Sequence, residues 1–317
     1  MTVRRGDQVR VRSRDDILAT LDRDGAVDGL PFMPEMLKFC GKELPIYSVA
    51  HKTCDTVERQ GRLRELDNAV HLAGARCDGS AHGGCQAGCL LFWHESWLEG
   101  LGMADAVRHD PPQATVDTLH EHTQAGEFYR CQATEMRHAS RPLPSYKLSQ
   151  YVKDFRSGNS RPRMFAKGML ITFFNLFQWV VSARLPRRLR PFGGRTWPFF
   201  RGTGAGTRVP SGDLQPGDMV EVRPMAEILP TLNADNRNGG LLFDSEMMPF
   251  CGQRARVERR IEQIIDEPTG KMIKLRDCLV LEDVVCPGTY HGLCPRGGLP
   301  YWRETWLKKV DQSSAKE

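Results

Sequence analysis

Two stretches of the chain hold residue types that ligate metals or carry nucleophilic chemistry, and they hold them at the same spacing. Cys77, His82 and Cys85 form a Cys-x4-His-x2-Cys run, and Cys286, His291 and Cys294 repeat it. Glycines punctuate both runs, Gly79 and Gly83 in the first, Gly288 and Gly292 in the second, so each loop can turn back and bring its side chains to one point. Thiolates and an imidazole suit tetrahedral Zn2+, which takes four donors. A Phe-Cys-Gly cysteine supplies the fourth, Cys40 for the first run and Cys251 for the second. The expected ligand sets are therefore Cys40, Cys77, His82 and Cys85, and Cys251, Cys286, His291 and Cys294. The spacing is not a standard zinc-ribbon form. An iron–sulfur cluster is the alternative occupant, with the spare thiols Cys89 and Cys278 replacing the histidines. A single cysteine is more often a buried small apolar side chain. Four matched ligand types in each half favour metal.

A thiol beside an imidazole also describes a nucleophilic cysteine. Cys54 near His51 and Cys89 near His82 are the candidates, all in the first half of the chain. Cys54 aligns with Ile265 of the second half, which argues for a core role. Trp93 with Trp97 and Trp302 with Trp306 sit at helical i, i+4 spacing; core packing is the expected role and a stacking platform for a ring the alternative. Glu95 and Glu304, between them, are the acid/base candidates.

The elements that position these residues occur twice. Gly6-Asp7-Gln8-Val9-Arg10-Val11-Arg12 recurs 211 positions later as Gly217-Asp218-Met219-Val220-Glu221-Val222-Arg223. The same offset pairs Glu35-Met36 with Glu246-Met247 and Phe39-Cys40-Gly41 with Phe250-Cys251-Gly252. After a two-residue length difference, Trp93, Glu95 and Trp97 pair with Trp302, Glu304 and Trp306. Repeats take priority in reading an architecture. The expected organisation is a first Cys/His lobe over 1–102, a helical insert and Gly/Pro-rich linker over 103–212, and a second Cys/His lobe over 213–317.

Each lobe opens with a turn and an alternating apolar run, Val9 and Val11 or Val220 and Val222, the pattern of a half-buried strand. Ser13 followed by Asp16 predicts a capped helix over Asp15–Leu21. Val257, Ile261 and Ile265 read as one face of a strand-like stretch, and 271–286 as another after the turn Glu267-Pro268-Thr269-Gly270. The fold class expected is mostly β (α+β), two duplicated small β lobes with short helices. The Gly-Asp-x-Val opening resembles an SH3-type barrel over a third of each lobe, a fold that implies no one function.

In the insert, Thr115–Thr123 and Glu127–Arg137 carry helical patterns. His120 and His122 diverge at i, i+2, so solvent exposure is expected for them rather than a metal. Residues 164–183 are strongly apolar but too short for a comfortable membrane span. Burial between domains is expected for this helix. Peripheral membrane contact through 164–190, next to Arg184, Arg187, Arg188 and Arg190, is the less favoured alternative.

The 317 residues suffice for two domains, and 40% apolar content excludes a disordered chain. The net charge of +5 permits an acidic partner, but no basic stripe lies within either lobe, so nucleic acid is not the expected ligand. The opening MTVRRGDQVRV lacks a secretory signal pattern, so a cytoplasmic location with reduced cysteines is expected. The runs LPFMPEMLKFCG, RCDGSAHGGCQAGC and CPRGGLPYWRETWL resemble a functionally unassigned family of duplicated Cys-rich bacterial proteins associated with natural-product biosynthesis clusters. The resemblance implies a pathway role and no particular residue's chemistry. Together these readings predict a metal-binding protein, with structural zinc, serving a biosynthetic pathway as a binding or scaffold component. Its partner would be a pathway protein or a small-molecule intermediate. An enzyme with a thiol or open metal site in the first lobe is the main alternative.

Overall fold

The alternation after Gly6-Asp7 builds the first strand, Gln8–Val11, whose Val9 and Val11 face inward while Gln8 and Arg10 face water. This computed structural model describes residues 3–57, 62–100, 108–210 and 212–310. The fold is mixed α+β, with antiparallel sheets and mostly short helices. The chain divides into two compact units. The first comprises Met1–Phe165 with Gln263–Lys274 and His291–Gly298. The second comprises Ala166–Glu262, Leu275–Tyr290 and Leu299–Glu317.

In the first unit a five-stranded antiparallel sheet runs in the order Leu90–His94, Ala69–Arg76, Glu43–Val49, Gln8–Val11, Leu98–Glu99. Ser13 caps a helix over Arg14–Leu18, three residues shorter at its end than predicted, by accepting the Asp16 N–H at 3.2 Å. Trp93 and Trp97 are fully buried, and Phe32 meets their rings edge-on at 6.2 and 5.1 Å. The spacing that read as helical belongs to a strand, Leu90–His94, followed by a single turn, Glu95–Trp97. These rings are core and offer no stacking platform.

The units do not coincide with the expected lobes. The 257–265 stretch is two strands, Arg254–Arg260 and Gln263–Asp266, and the chain changes unit between them. Gln263–Asp266 pairs with Lys271–Lys274 across the predicted turn, and Phe128 pairs with Lys271 to join this hairpin to the insert strands Gln124–Ala125 and Phe128–Tyr129. The insert therefore supplies strand at 128–129 where a helix was expected. Ile265 and Cys294, both buried, fix the two borrowed segments within the first unit.

The second unit has its own five-stranded sheet, ordered Trp302–Arg303, Cys278–Leu281, Arg254–Arg260, Met219–Val222, Leu307–Lys309. Trp302 and Trp306 pack around Phe243 in its core. The helix Pro162–Arg184 departs from expectation. Leu170, Phe173 and Phe177 on one face and Trp179 on another stand exposed, with no apolar layer of the described residues covering them.

Two histidines make the first unit acid-sensitive. His71 is fully buried, its Nδ1–H donating to the Leu91 carbonyl at 2.9 Å, and burial lowers its pKa from 6.5 to about 4. Burial lowers His94 too, against the pull of Asp28. Unfolded chains take up these protons first as pH falls, so the stability contribution is complete above pH 6.5 and lost progressively toward pH 4. For His71 the loss is about 3 kcal/mol. Denaturant titrations from pH 7 to pH 4 should show this fall, and a His71→Gln variant should be less stable at pH 7 but flatter across the window.

Candidate metal centre

Pro34 opens a short 3-10 helix, Pro34–Phe39, on which Glu35 turns inward and Lys38 outward. Both reach the same loop. Glu35 Oε1 accepts the Ala81 N–H at 2.9 Å, and Lys38 pairs with Asp78. Burial works against the charge on Asp78, but Lys38 and the Ser80 donors outweigh it and bring its pKa down to about 2. Gly79 lets the loop close. Its φ is +71°, and a Cβ there would lie 2.0 Å from the Cys85 carbonyl oxygen. The Gly79 carbonyl accepts the N–H groups of His82 and Gly84 at 3.2 and 2.9 Å.

This loop places three functional groups in a row. His82 Nδ1 lies 2.8 Å from Glu35 Oε1, and His82 Nε2 lies 3.4 Å from Cys77 Sγ. Ligand atoms of Glu35, Cys77 and His82 all fall within 4.8 Å of one another. Glu35 and His82 are buried, and Glu35 Oε2 has no hydrogen-bond partner among the described residues. Burial opposes the Glu35 charge, yet His82 and the Ala81 amide hold its carboxyl below the ordinary range. Burial pushes the Cys77 thiol strongly up, and the Glu35 charge pushes it further.

The row forms part of the wall of a small cavity within the first unit, with room for about 40 Å3. Cys77, His82, Cys85, Cys89 and Cys131 line it, with Arg296 and Glu267 opposite in charge on the same wall. Arg296 Nη2 donates to Glu267 Oε1 at 2.7 Å and Nη1 to Thr56 Oγ1 at 2.9 Å. Burial raises the thiols of Cys89 and Cys131 to about 11 and about 12, and raises Cys85 as well. Cys85 Sγ also accepts the Ile265 N–H at 3.3 Å. Without a metal these are neutral thiols at pH 7.

The predicted ligands are brought together only in part. Cys77 and His82 meet, and Cys85 and Cys89 share their cavity. Cys40 ends the 3-10 helix, half-buried against the apolar core, and is not in the converging group. Glu35, five residues earlier, stands there instead. Of the second predicted set, Cys251 and Cys286 belong to the second unit and His291 and Cys294 to the first. In the second unit a Glu246 oxygen lies within 4.8 Å of Cys286 Sγ, and Glu246 accepts the Tyr290 N–H. Cys251 packs against the second unit's core. Cys278 is held by Arg303, whose Nη1 donates to its sulfur at 3.3 Å.

Cys89 and His82 line the same cavity, while His51 and Cys54 each have a further partner. His51 Nε2 lies 3.1 Å from Asp154, which also binds the fully buried Lys52. Cys54 instead meets Cys294, its N–H reaching Cys294 Sγ at 3.1 Å in a small cluster with Leu63 and Leu143. Burial opposes ionisation of Cys294, but hydrogen bonding from Cys54 and the Arg296 backbone, with the Arg296 charge, brings its thiol down.

Sequence reasoning missed Glu35 and Cys131. Glu35 had a signal, since Glu35-Met36 and Glu246-Met247 coincide in the repeat. Cys131 had none; it reaches the cavity from the insert. No protein-family model, curated protein or solved structure matches this chain.

The loop geometry gives a direct test. Gly79→Ala should destabilise the first unit by at least about 1–2 kcal/mol, from the positive φ and the collision with the Cys85 carbonyl. Urea unfolding of the full chain measures it, with Gly41→Ala, at a positive φ in open space, as the control for φ alone.

Proposed function

We propose that the protein binds a metal ion in the first unit, between Cys77 and His82, and that this centre is zinc. The observation that carries the reading is the 3.4 Å separation of Cys77 Sγ from His82 Nε2. Two donors of a tetrahedral zinc, about 2.3 Å away for sulfur and about 2.0 Å for nitrogen, lie about 3.5 Å apart. Glu35 on the far ring nitrogen plays the part of the carboxylate that orients a metal-bound histidine. Cys85, Cys89 and Cys131 are the thiols on hand for the remaining positions. A divalent ion also answers the electrostatics of the row, a buried carboxylate with one unpartnered oxygen among buried thiols.

The same row could be taken for a cysteine nucleophile with its base and orienting acid. Burial and the Glu35 charge push the Cys77 thiol away from the thiolate; a divalent ion beside it would supply the positive charge that draws the proton off, so metal ligation is preferred. An iron–sulfur cluster is the second reading, favoured by one observation: four cysteines, Cys77, Cys85, Cys89 and Cys131, line a single cavity. With a metal in its wall, the first unit becomes a rigid binding component, and its place in a cytoplasmic biosynthetic pathway rests on the resemblance of the sequence runs alone.

The duplication belongs to the same proposal. Each unit has a five-stranded sheet whose members fall in the same chain order, and in each a glutamate from a 3-10 helix accepts an N–H from the Cys/His loop. SH3-like ancestry of the lobes is part of this reading, supported by the opening strands.

Elemental analysis of protein purified with and without oxygen tests the metal. We expect zinc, with Cys77→Ser and His82→Ala each removing one equivalent and Glu35→Gln weakening affinity by about 10–100-fold. Iron with visible absorption that bleaches in air would select the cluster. Metal-free, fully folded protein from both preparations would overturn both.

A further inference from the structure

Residues 155–212 contain eleven Lys and Arg and no Asp or Glu, although the whole chain carries only +5. Everything outside this stretch is therefore net acidic. The positive stretch also carries most of the exposed large hydrophobic side chains among the described residues. Its helix, Pro162–Arg184, is 23 residues long with a mean hydropathy of 1.4 over its most apolar 18 residues. Leu170 and Trp179 are 72% and 70% exposed, and Phe173 and Phe177 stand on the Leu170 side of the helix, about one and two turns on. Beyond the helix Leu189 and Phe192 are exposed as well.

The polar side chains of this helix turn the other way. Asn175 clamps the returning chain, accepting the Trp197 N–H at 2.7 Å and donating to the Trp197 carbonyl at 3.3 Å. Gln178 is fully buried and donates to the Pro191 carbonyl at 3.0 Å. Phe174, Phe192 and Phe199 pack their rings together at 5.6 to 5.7 Å and hold the return segment to the helix. Asn175 and the Gln178 amide N–H are thus engaged within the element, while Leu170, Phe173 and Phe177 face out. A water-facing helix shows the opposite arrangement.

We propose that Pro162–Phe200 is a docking element for the surface of an anionic lipid bilayer, lying in the plane of the headgroups. A bilayer offers both things this surface matches, an apolar layer for Leu170, Phe173 and Phe177 and negative headgroups for Arg184, Arg188 and Arg190. Insertion as a span does not fit, because Trp197 returns to Asn175 in mid-helix, so the chain doubles back instead of leaving at the far end. The missing cover that the burial expectation required is, on this view, the lipid.

Vesicle flotation of the full-length protein is the test. Vesicles of phosphatidylcholine with about 30% phosphatidylglycerol should carry at least about tenfold more protein than phosphatidylcholine alone at low salt. Phe173→Asp with Phe177→Asp, at exposed positions, should leave the melting temperature unchanged and abolish flotation. Arg184→Glu with Arg188→Glu and Arg190→Glu should remove the preference for anionic vesicles. Absence of flotation, or flotation unaffected by the Phe variants, would overturn the proposal. So would binding to single-stranded RNA alone, or a dimer lost in the Phe variants without vesicle binding.

Discussion

The contact between the Glu35 carboxylate and His82 Nδ1 is the interaction on which the candidate centre depends. It decides which imidazole nitrogen is left to face Cys77, and it does so with both partners out of water. A buried carboxylate is costly unless its surroundings compensate it. Here the 3-10 helix, the Ala81 amide, the Lys38–Asp78 pair and the sharp turn at Gly79 all hold the loop against that carboxylate. Removing any one of them loosens the same row of three groups.

The cavity behind the row explains why the first unit takes in chain from far away. Its walls come from the Cys77–Phe92 stretch, from the insert at Cys131–Ala133, and from Ile265, Glu267 and Arg296. None of these segments is long enough to enclose a cavity alone. A metal held by the loop would tie the least regular of these walls to the sheet, which couples ligand binding to the folding of the unit. The buried thiols, neutral in the absence of metal, would lose their protons on binding it.

Much of the fold was legible in the residues. The opening strand showed through Val9 and Val11, the helix start through Ser13 and Asp16, and the second hairpin through its Pro-Thr-Gly turn. Local patterns fail where tertiary packing decides. Trp93 and Trp97 have helical spacing, yet a strand and one turn place both in the core. The Cys77–His82 pair is legible because only four residues of loop separate them. Residue type points to Cys40, since thiols are common zinc ligands, while geometry puts the Glu35 carboxylate inward. Cys131 was hidden because nothing in sequence marks a contact made across 40 to 50 residues. The apolar helix was recognised as a helix, but no sequence pattern says what covers it.

X-ray absorption at the zinc edge addresses the centre most directly. The arrangement of Cys77 and His82 predicts a first shell with sulfur at about 2.3 Å and nitrogen at about 2.0 Å, with the outer scattering of one imidazole that disappears in His82→Ala. A shell of oxygen and nitrogen alone, or an imidazole signal indifferent to that substitution, would contradict it.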